Sequence, residues 1–156
     1  MKIEFLKEKD INNLSNLAKR IIYRTSYYSP LSKKEESKKF YPNNLKSKLK
    51  SKENLYLIAK ERNKIIGFLS GHYDVDTFWL DWIGIDKKFR RRGISVQLYY
   101  RLERKLKKSK VHKIWGDSRT NNKESIPLLT KLKFKKITLI KKHWYKHDFY
   151  LWEKFI

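Results

Sequence analysis

The chain has 156 residues, 40% of them hydrophobic and 15% aromatic, enough for one domain spanning 1–156 with a proper core and too apolar for a disordered chain. It contains no cysteine, which excludes disulfides, a thiolate nucleophile and a Cys-ligated zinc site. Lys and Arg number 39 against 16 acidic residues, a net charge of +23 that predicts non-specific affinity for polyanions and carries little information about fold.

In chain order, Lys2 to Leu6 reads as a first strand. Asp10 is positioned to cap a helix from Ile11 to about Arg24, with Ile11, Leu14, Leu17, Ala18, Ile21 and Ile22 as its apolar stripe. Tyr27-Tyr28-Ser29-Pro30 ends that helix. Ser32-Lys33-Lys34-Glu35 matches a capping box for a second short helix, and Pro42 interrupts before a further helical turn carrying Leu45 and Leu49. Leu55 to Ala59, Ile65 to His72 and Phe78 to Ile85 read as three strands joined by polar turns, hence an antiparallel meander. After Ile85 the period changes. Ile94, Leu98, Leu102 and Leu106 recur every four residues among Lys and Arg, an amphipathic helix.

The turn into that helix is Arg90-Arg91-Arg92-Gly93-Ile94-Ser95. A helix N-terminus offers unpaired N–H groups and partial positive charge, glycine permits close approach of a ligand, and arginines add bidentate donors. The physical expectation is a pyrophosphate cradle. Val111 to Gly116 follows as a strand, parallel to Phe78–Ile85 by the handedness of βαβ units. Two parallel neighbours that splay at their C-terminal ends open a slot for a ligand. A helix over Lys123–Lys131 accommodates Pro127 only in its first turn, which puts its cap between Asn122 and Ser125. Ile137 to Tyr145 and Phe149 to Phe155 read as a closing hairpin, turning near Lys146-His147-Asp148. Trp79, Trp82, Trp115, Trp144 and Trp152 fall in these strands and are expected mostly in the core.

Arg90-x-x-Gly93-x-Ser95 after a strand resembles the Q/R-x-x-G-x-G/A motif of the GCN5-related N-acetyltransferases (GNAT), with Ser95 where Gly or Ala is usual. Asn122-x-x-Ser125-x-x-x-Leu129-x-x-x-Lys133-Phe134 resembles that family's N-x-x-A-x-x-x-Y-x-x-x-G-F segment, with Leu129 in place of tyrosine and Lys133 in place of glycine. The resemblance runs from about Leu55 to the C-terminus. It implies an α/β fold with a mostly antiparallel central sheet, a splayed parallel strand pair and flanking helices. It also implies acetyl-CoA as cofactor: Arg90, Arg91, Arg92, Gly93, Ile94 and Ser95 would hold the pyrophosphate, backbone groups of Ile83 and Ile85 the pantetheine, and Asn122 the reactive end. The two N-terminal helices would cover the acceptor side.

Transfer of an acyl group from a thioester to an amine needs a base that reaches the amine, directly or through water. Asp117 is the first candidate. Asp117-Ser118-Arg119-Thr120-Asn121-Asn122 resembles the E-x-R-x-x-N stretch of acetyltransferases that modify ribosomal-protein N-termini, although pairing with Arg119 or capping a turn would equally account for it. Asp81 is the second, an acid in an apolar strand where burial would raise its pKa, unless strand alternation turns it outward. The tyrosine that protonates the departing thiolate in many relatives is Leu129 here. Tyr99, Tyr100 and Tyr145 are substitutes that sequence alone does not place.

The resemblance implies acetyl transfer to a primary amine. The Asp117–Asn122 stretch tilts the acceptor towards a protein or peptide amine, while a small amine such as a polyamine or aminoglycoside is an equally common family substrate. So cationic a chain modestly disfavours free polyamines unless its pocket is locally acidic. The rival expectation is a basic RNA- or ribosome-associated binding module on the same scaffold, with Leu129 marking lost catalysis. His72, His112, His143 and His147 have no metal-site spacing, so no metal is expected. No apolar run suits a bilayer and no signal segment is evident, so a cytoplasmic protein without membrane partners is expected; a homodimer is left open.

Overall fold

A computed structural model describes residues 1–156. In chain order it contains β1 (Lys2–Phe5), α1 (Ile11–Tyr23), α2 (Pro30–Lys38), α3 (Pro42–Lys50), β2 (Asn54–Glu61), β3 (Lys64–Asp74), β4 (Thr77–Ile85), α4 (Ile94–Leu106), β5 (Lys113–Arg119), α5 (Ser125–Lys131), β6 (Lys135–Ile140) and β7 (Phe149–Phe155). The strands form one sheet in the order β1-β2-β3-β4-β5-β7-β6, antiparallel throughout except for β4 and β5. This is the expected α/β architecture.

Each face of the sheet has its own core. On one, the α4 stripe of Ile94, Leu98, Leu102 and Leu106 packs with Leu57, Leu69, Phe78, Leu80 and Ile114, and α5 adds Leu129. On the other, Leu14, Leu17 and Ile22 of α1 and Leu45 of α3 pack on Tyr56, Ile58 and Phe68. A fully buried leucine or isoleucine contributes about 1.5–3 kcal/mol, so these two stripes fasten helices to both sides of the sheet.

Several local expectations change. Asp10 does not cap α1; it is buried, and its carboxylate accepts from Lys60 Nζ at 2.7 Å. A buried carboxylate takes a full ammonium partner in preference to backbone amides it does not face. The cap of α2 is Ser29, whose Oγ accepts from the Ser32 amide at 3.1 Å, with Pro30 in the first turn. Pro42 begins α3 instead of interrupting a helix, because its missing N–H costs nothing at that position. β6 stops at Ile140, and Trp144–Lys146 form a 3-10 turn where strand was expected. Of the five tryptophans only Trp152 is fully buried; Trp144 is 56% exposed.

The parallel pairing of β4 and β5 runs from Thr77↔Lys113 to Leu80↔Gly116 and stops there. Asp81 has no partner on β3, since Ser70 pairs with Trp82 and Gly71 with Leu80, so β4 bulges at the residue where the pairing to β5 ends. Bulges bend a strand and increase its local twist. Beyond this one the two strands diverge.

Candidate active site

The divergence opens a cleft of about 1200 Å³. One half is walled by Ile83 and Ile85 of β4, the turn into α4, and the start of α5; the other by α1, α2, the sheet face and the β6–β7 turn. Pockets for a single small ligand occupy roughly 300–1,000 Å³, so this one has room for two molecules at once.

At the first half, the Arg90–Ser95 turn follows a short 3-10 segment, Lys87–Phe89, capped by Asp86. Asp86 is buried and accepts from Arg20 Nη2 at 2.7 Å and the Lys88 amide at 3.1 Å. Burial by itself would raise its pKa, but the Lys88 amide and the Arg20 guanidinium prevail and hold it below the usual carboxylate range. The turn is thereby tied to α1. Arg91 and Gly93 both have left-handed backbones, φ 62° and 72°. A side-chain carbon built on Gly93 would meet nothing within 4 Å, so the space in front of the α4 N-terminus is clear. Arg90, Arg91, Lys123 and Lys131 line this half and make it cationic. An open, amide-rich, cationic helix start fits a diphosphate.

The expected binding residues do not all converge. Gly93, Ile94, Ser95, Arg90 and Arg91 line the cleft. Arg92 does not; its guanidinium turns to Glu61, 2.7 Å away, and lies over the Phe89 ring. Arg90 Nε donates to the Ile85 carbonyl at 3.2 Å, and its Nη1 pairs with Glu124 across the slot. Asn122 lines the cleft with its amide engaged locally: Oδ1 accepts from the Ser125 amide at 2.9 Å, which shapes the entry to α5.

At the second half, Asp117 neither pairs with Arg119 nor caps a turn. Its carboxylate accepts the Trp144 indole N–H at 3.2 Å and lies 4.0 Å from His143 Nε2. Burial is the largest influence on it and pushes its pKa above the ordinary aspartate value, against the opposing effects of Trp144, His143 and Lys39. Asp81 lacks the burial that would tune it: its side chain is 34% exposed at the bulge and meets His72 Nδ1 at 3.1 Å. Arg119, 4% exposed, donates to the Tyr27 carbonyl and to Ser32 Oγ, both at 2.9 Å, and so pins the α1–α2 segment onto β5.

Of the substitute tyrosines, Tyr99 is wholly buried and Tyr100 lies outside the cleft, whereas Tyr145 lines it. Leu129 belongs to the core and presents no hydroxyl. Sequence reading missed Glu36 of α2, which lines the cleft and accepts from Tyr145 Oη at 2.8 Å and from Trp82 Nε1 at 3.1 Å. Nothing in the charged stretch around Glu36 distinguishes it from Glu35, which is half-buried and pairs with Lys38. Glu36, Asp81 and Asp117 give this half three carboxylates, set among the cations Lys39, Lys48 and Arg119 on the same walls.

The family profile described as "Acetyltransferase (GNAT) family" matches residues 19–134. The acetyltransferase ECA0875 of Pectobacterium atrosepticum is 31% identical over 96 residues, which cover 62% of this chain and 68% of that protein. Among solved structures, the PaiA N-acetyltransferase of Thermoplasma acidophilum, in complex with coenzyme A, superposes with a TM-score of 0.84 over 100% of both chains at 19% identity. A ribosomal-protein-alanine N-acetyltransferase from Brucella melitensis does so with a TM-score of 0.75 over 100% of both chains at 16% identity. The cleft's clear, cationic corner at the α4 N-terminus and the profile match agree: the chain belongs to the acetyltransferase (GNAT) family and is an N-acetyltransferase with acetyl-CoA as cosubstrate.

Proposed function

We propose that the acceptor is the primary amine of a protein or peptide, and that Asp117 is the base that receives its proton. The observation that carries this reading is the placement of Asp117: it stands in the cleft where β4 and β5 part, buried enough to bind a proton more tightly than a free aspartate. Acetyl-CoA supplies a thioester carbonyl. The Arg90–Ser95 turn would hold its diphosphate, and the strand edge at Ile83 would pair with its pantetheine arm as a substitute strand. The amine nitrogen bonds to the acetyl carbon as the carbon–sulfur bond breaks. Asp117 takes the proton that the amine loses, directly or through one water. The departing sulfur is protonated from water, since Leu129 has no hydroxyl to offer.

Two observations support a peptide or protein acceptor. The cleft continues past Asp117 along the sheet to Asp81, His72 and Asn54, farther than a lone amine requires. The Asp117–Asn122 stretch resembles that of enzymes acting on ribosomal-protein N-termini, and a ribosomal-protein-alanine N-acetyltransferase shares the fold. Asp81 and Asp117 would attract an ammonium group, while Lys39, Lys48 and Arg119 on the same walls leave the chain's net charge weighing against small free polyamines. Mass spectrometry of a six-residue peptide with a free N-terminal alanine, incubated with acetyl-CoA, should show one added acetyl group. Asp117→Asn should lower turnover by at least about 100-fold, within the usual worth of a general base. Acetylation of a polyamine or an aminoglycoside but not of the peptide would overturn the acceptor assignment; unchanged turnover in Asp117→Asn would overturn the base.

A further inference from the structure

Glu36 has more partners than a helix-surface glutamate needs. It is 8% exposed. Its Oε1 accepts the Tyr145 hydroxyl at 2.8 Å, its Oε2 accepts the Trp82 indole at 3.1 Å, and Lys39 Nζ lies 2.9 Å from both oxygens. The neighbouring Lys38–Glu35 pair, also three residues apart, achieves helix pairing with both side chains far more exposed than Glu36. Glu36 instead gathers three walls of the acceptor half: α2, the bulged part of β4, and the β6–β7 turn.

That turn is strained. Lys142, Tyr145 and Lys146 have φ of 46°, 54° and 61°. Left-handed backbone in non-glycine residues costs of order 1 kcal/mol each and persists where surrounding contacts impose it. The contacts here are Tyr145 to Glu36, Trp144 to Asp117, and the Lys142 amide to Asp148 Oδ1 at 2.9 Å. Two consecutive aromatic donors are therefore aimed at two of the cleft's carboxylates, Asp117 and Glu36. Because the Tyr145 proton is committed to Glu36, the Tyr145 oxygen can act only as an acceptor towards anything else in the cleft.

We propose that Glu36 is a positioning residue of the transfer site: it holds the Tyr145 oxygen as a hydrogen-bond acceptor for the incoming amine and sets a fixed negative charge within reach of Asp117. This rests on the assignment of Asp117 as base. The charged groups that face Asp117 are Glu36 and Lys39 from α2 and His143 from the β6–β7 turn, with the Trp144 indole as neutral donor. Of these only Glu36 opposes ionisation, so it makes Asp117 a stronger base than burial alone does. The amine's proton goes to Asp117 and not to Glu36.

The test is a carboxyl 13C NMR titration, with Asp117 assigned by the resonance lost in Asp117→Asn, combined with steady-state kinetics on the N-terminal-alanine peptide. Glu36→Gln should move the Asp117 midpoint, and the acid limb of kcat/KM with it, to lower pH. Tyr145→Phe keeps the Glu36 charge, so the midpoint should stay while the peptide KM rises about tenfold, the worth of one hydrogen bond to an ammonium. Coenzyme A affinity should remain within about twofold in both variants. An unmoved Asp117 midpoint in Glu36→Gln, or an unchanged peptide KM in Tyr145→Phe, overturns the proposal. If the peptide is no substrate, the acceptor assignment fails while the titration still decides on Glu36. If Glu36→Gln does not fold, Tyr145→Phe decides.

Discussion

Gly93 and Asp117 line opposite halves of the cleft, and each is set apart from the ordinary residue, one by its backbone and the other by its proton affinity. Gly93 has the left-handed backbone that admits glycine freely and faces open space. Gly93→Glu would bring a strained residue and a carboxylate to the diphosphate corner. Calorimetry should find coenzyme A binding lost, whereas Gly93→Ala, with backbone strain alone, should weaken it less. Asp117 is held with its pKa raised by burial. A raised acid favours the folded state at low pH, and that contribution is lost as pH rises from the unfolded value of about 3.9 through the folded one. At neutral pH the ionised carboxylate therefore opposes folding. Asp117→Asn should raise the thermal midpoint at pH 7 while turnover collapses, and the gain should vanish near pH 3; a lowered midpoint at pH 7 would contradict this account.

At the scale of elements, the site is built by what joins them. α1 anchors the Arg90–Ser95 turn through Arg20 and Asp86, while Arg119 anchors the α1–α2 segment to β5. Asp86 has a depressed pKa, so its contribution is present above the unfolded aspartate value and fades as pH falls through the lower folded one. Asp86→Asn should cost about 2 kcal/mol in denaturant unfolding at neutral pH, since it leaves Arg20 facing a neutral amide in a largely buried place. The loss should shrink in strong acid. It should also weaken coenzyme A, because the turn loses its tether. The amphipathic stripe of α4 was legible in the sequence: its four recurring apolar residues are all buried. The β6–β7 connection was not, since Ile137 to Tyr145 has strand-like composition and only the ties of Trp144 and Tyr145 to distant carboxylates bend it into a turn.

For the whole molecule, the charge of +23 and the carboxylates inside the cleft act at different ranges. Ionic screening over about 8 Å at physiological salt separates them. The basic surface should retain single-stranded RNA in low salt and release it above roughly 200 mM, whereas coenzyme A affinity, which rests partly on backbone amides, should fall far less. Retention of RNA at high salt would point to a built nucleic-acid site and restore the binding-module alternative. No helix is long and apolar enough to cross a membrane.

By itself the sequence determined the α/β class, the meander, the strand–turn–helix with its open cationic start, and Asp117 as a carboxylate at the cleft. Those follow from periods of 2 and 3.6 and from glycine and arginine at one turn, which are local properties. Only the tertiary structure decided that Arg92 leaves the turn for Glu61, that Asp81 is exposed at a bulge, and that Glu36 meets Tyr145 across 109 residues of chain. The physical reason is that periodicity says which face of an element is apolar, whereas facing across a cleft depends on where strand pairing stops and which distant donors satisfy a buried charge.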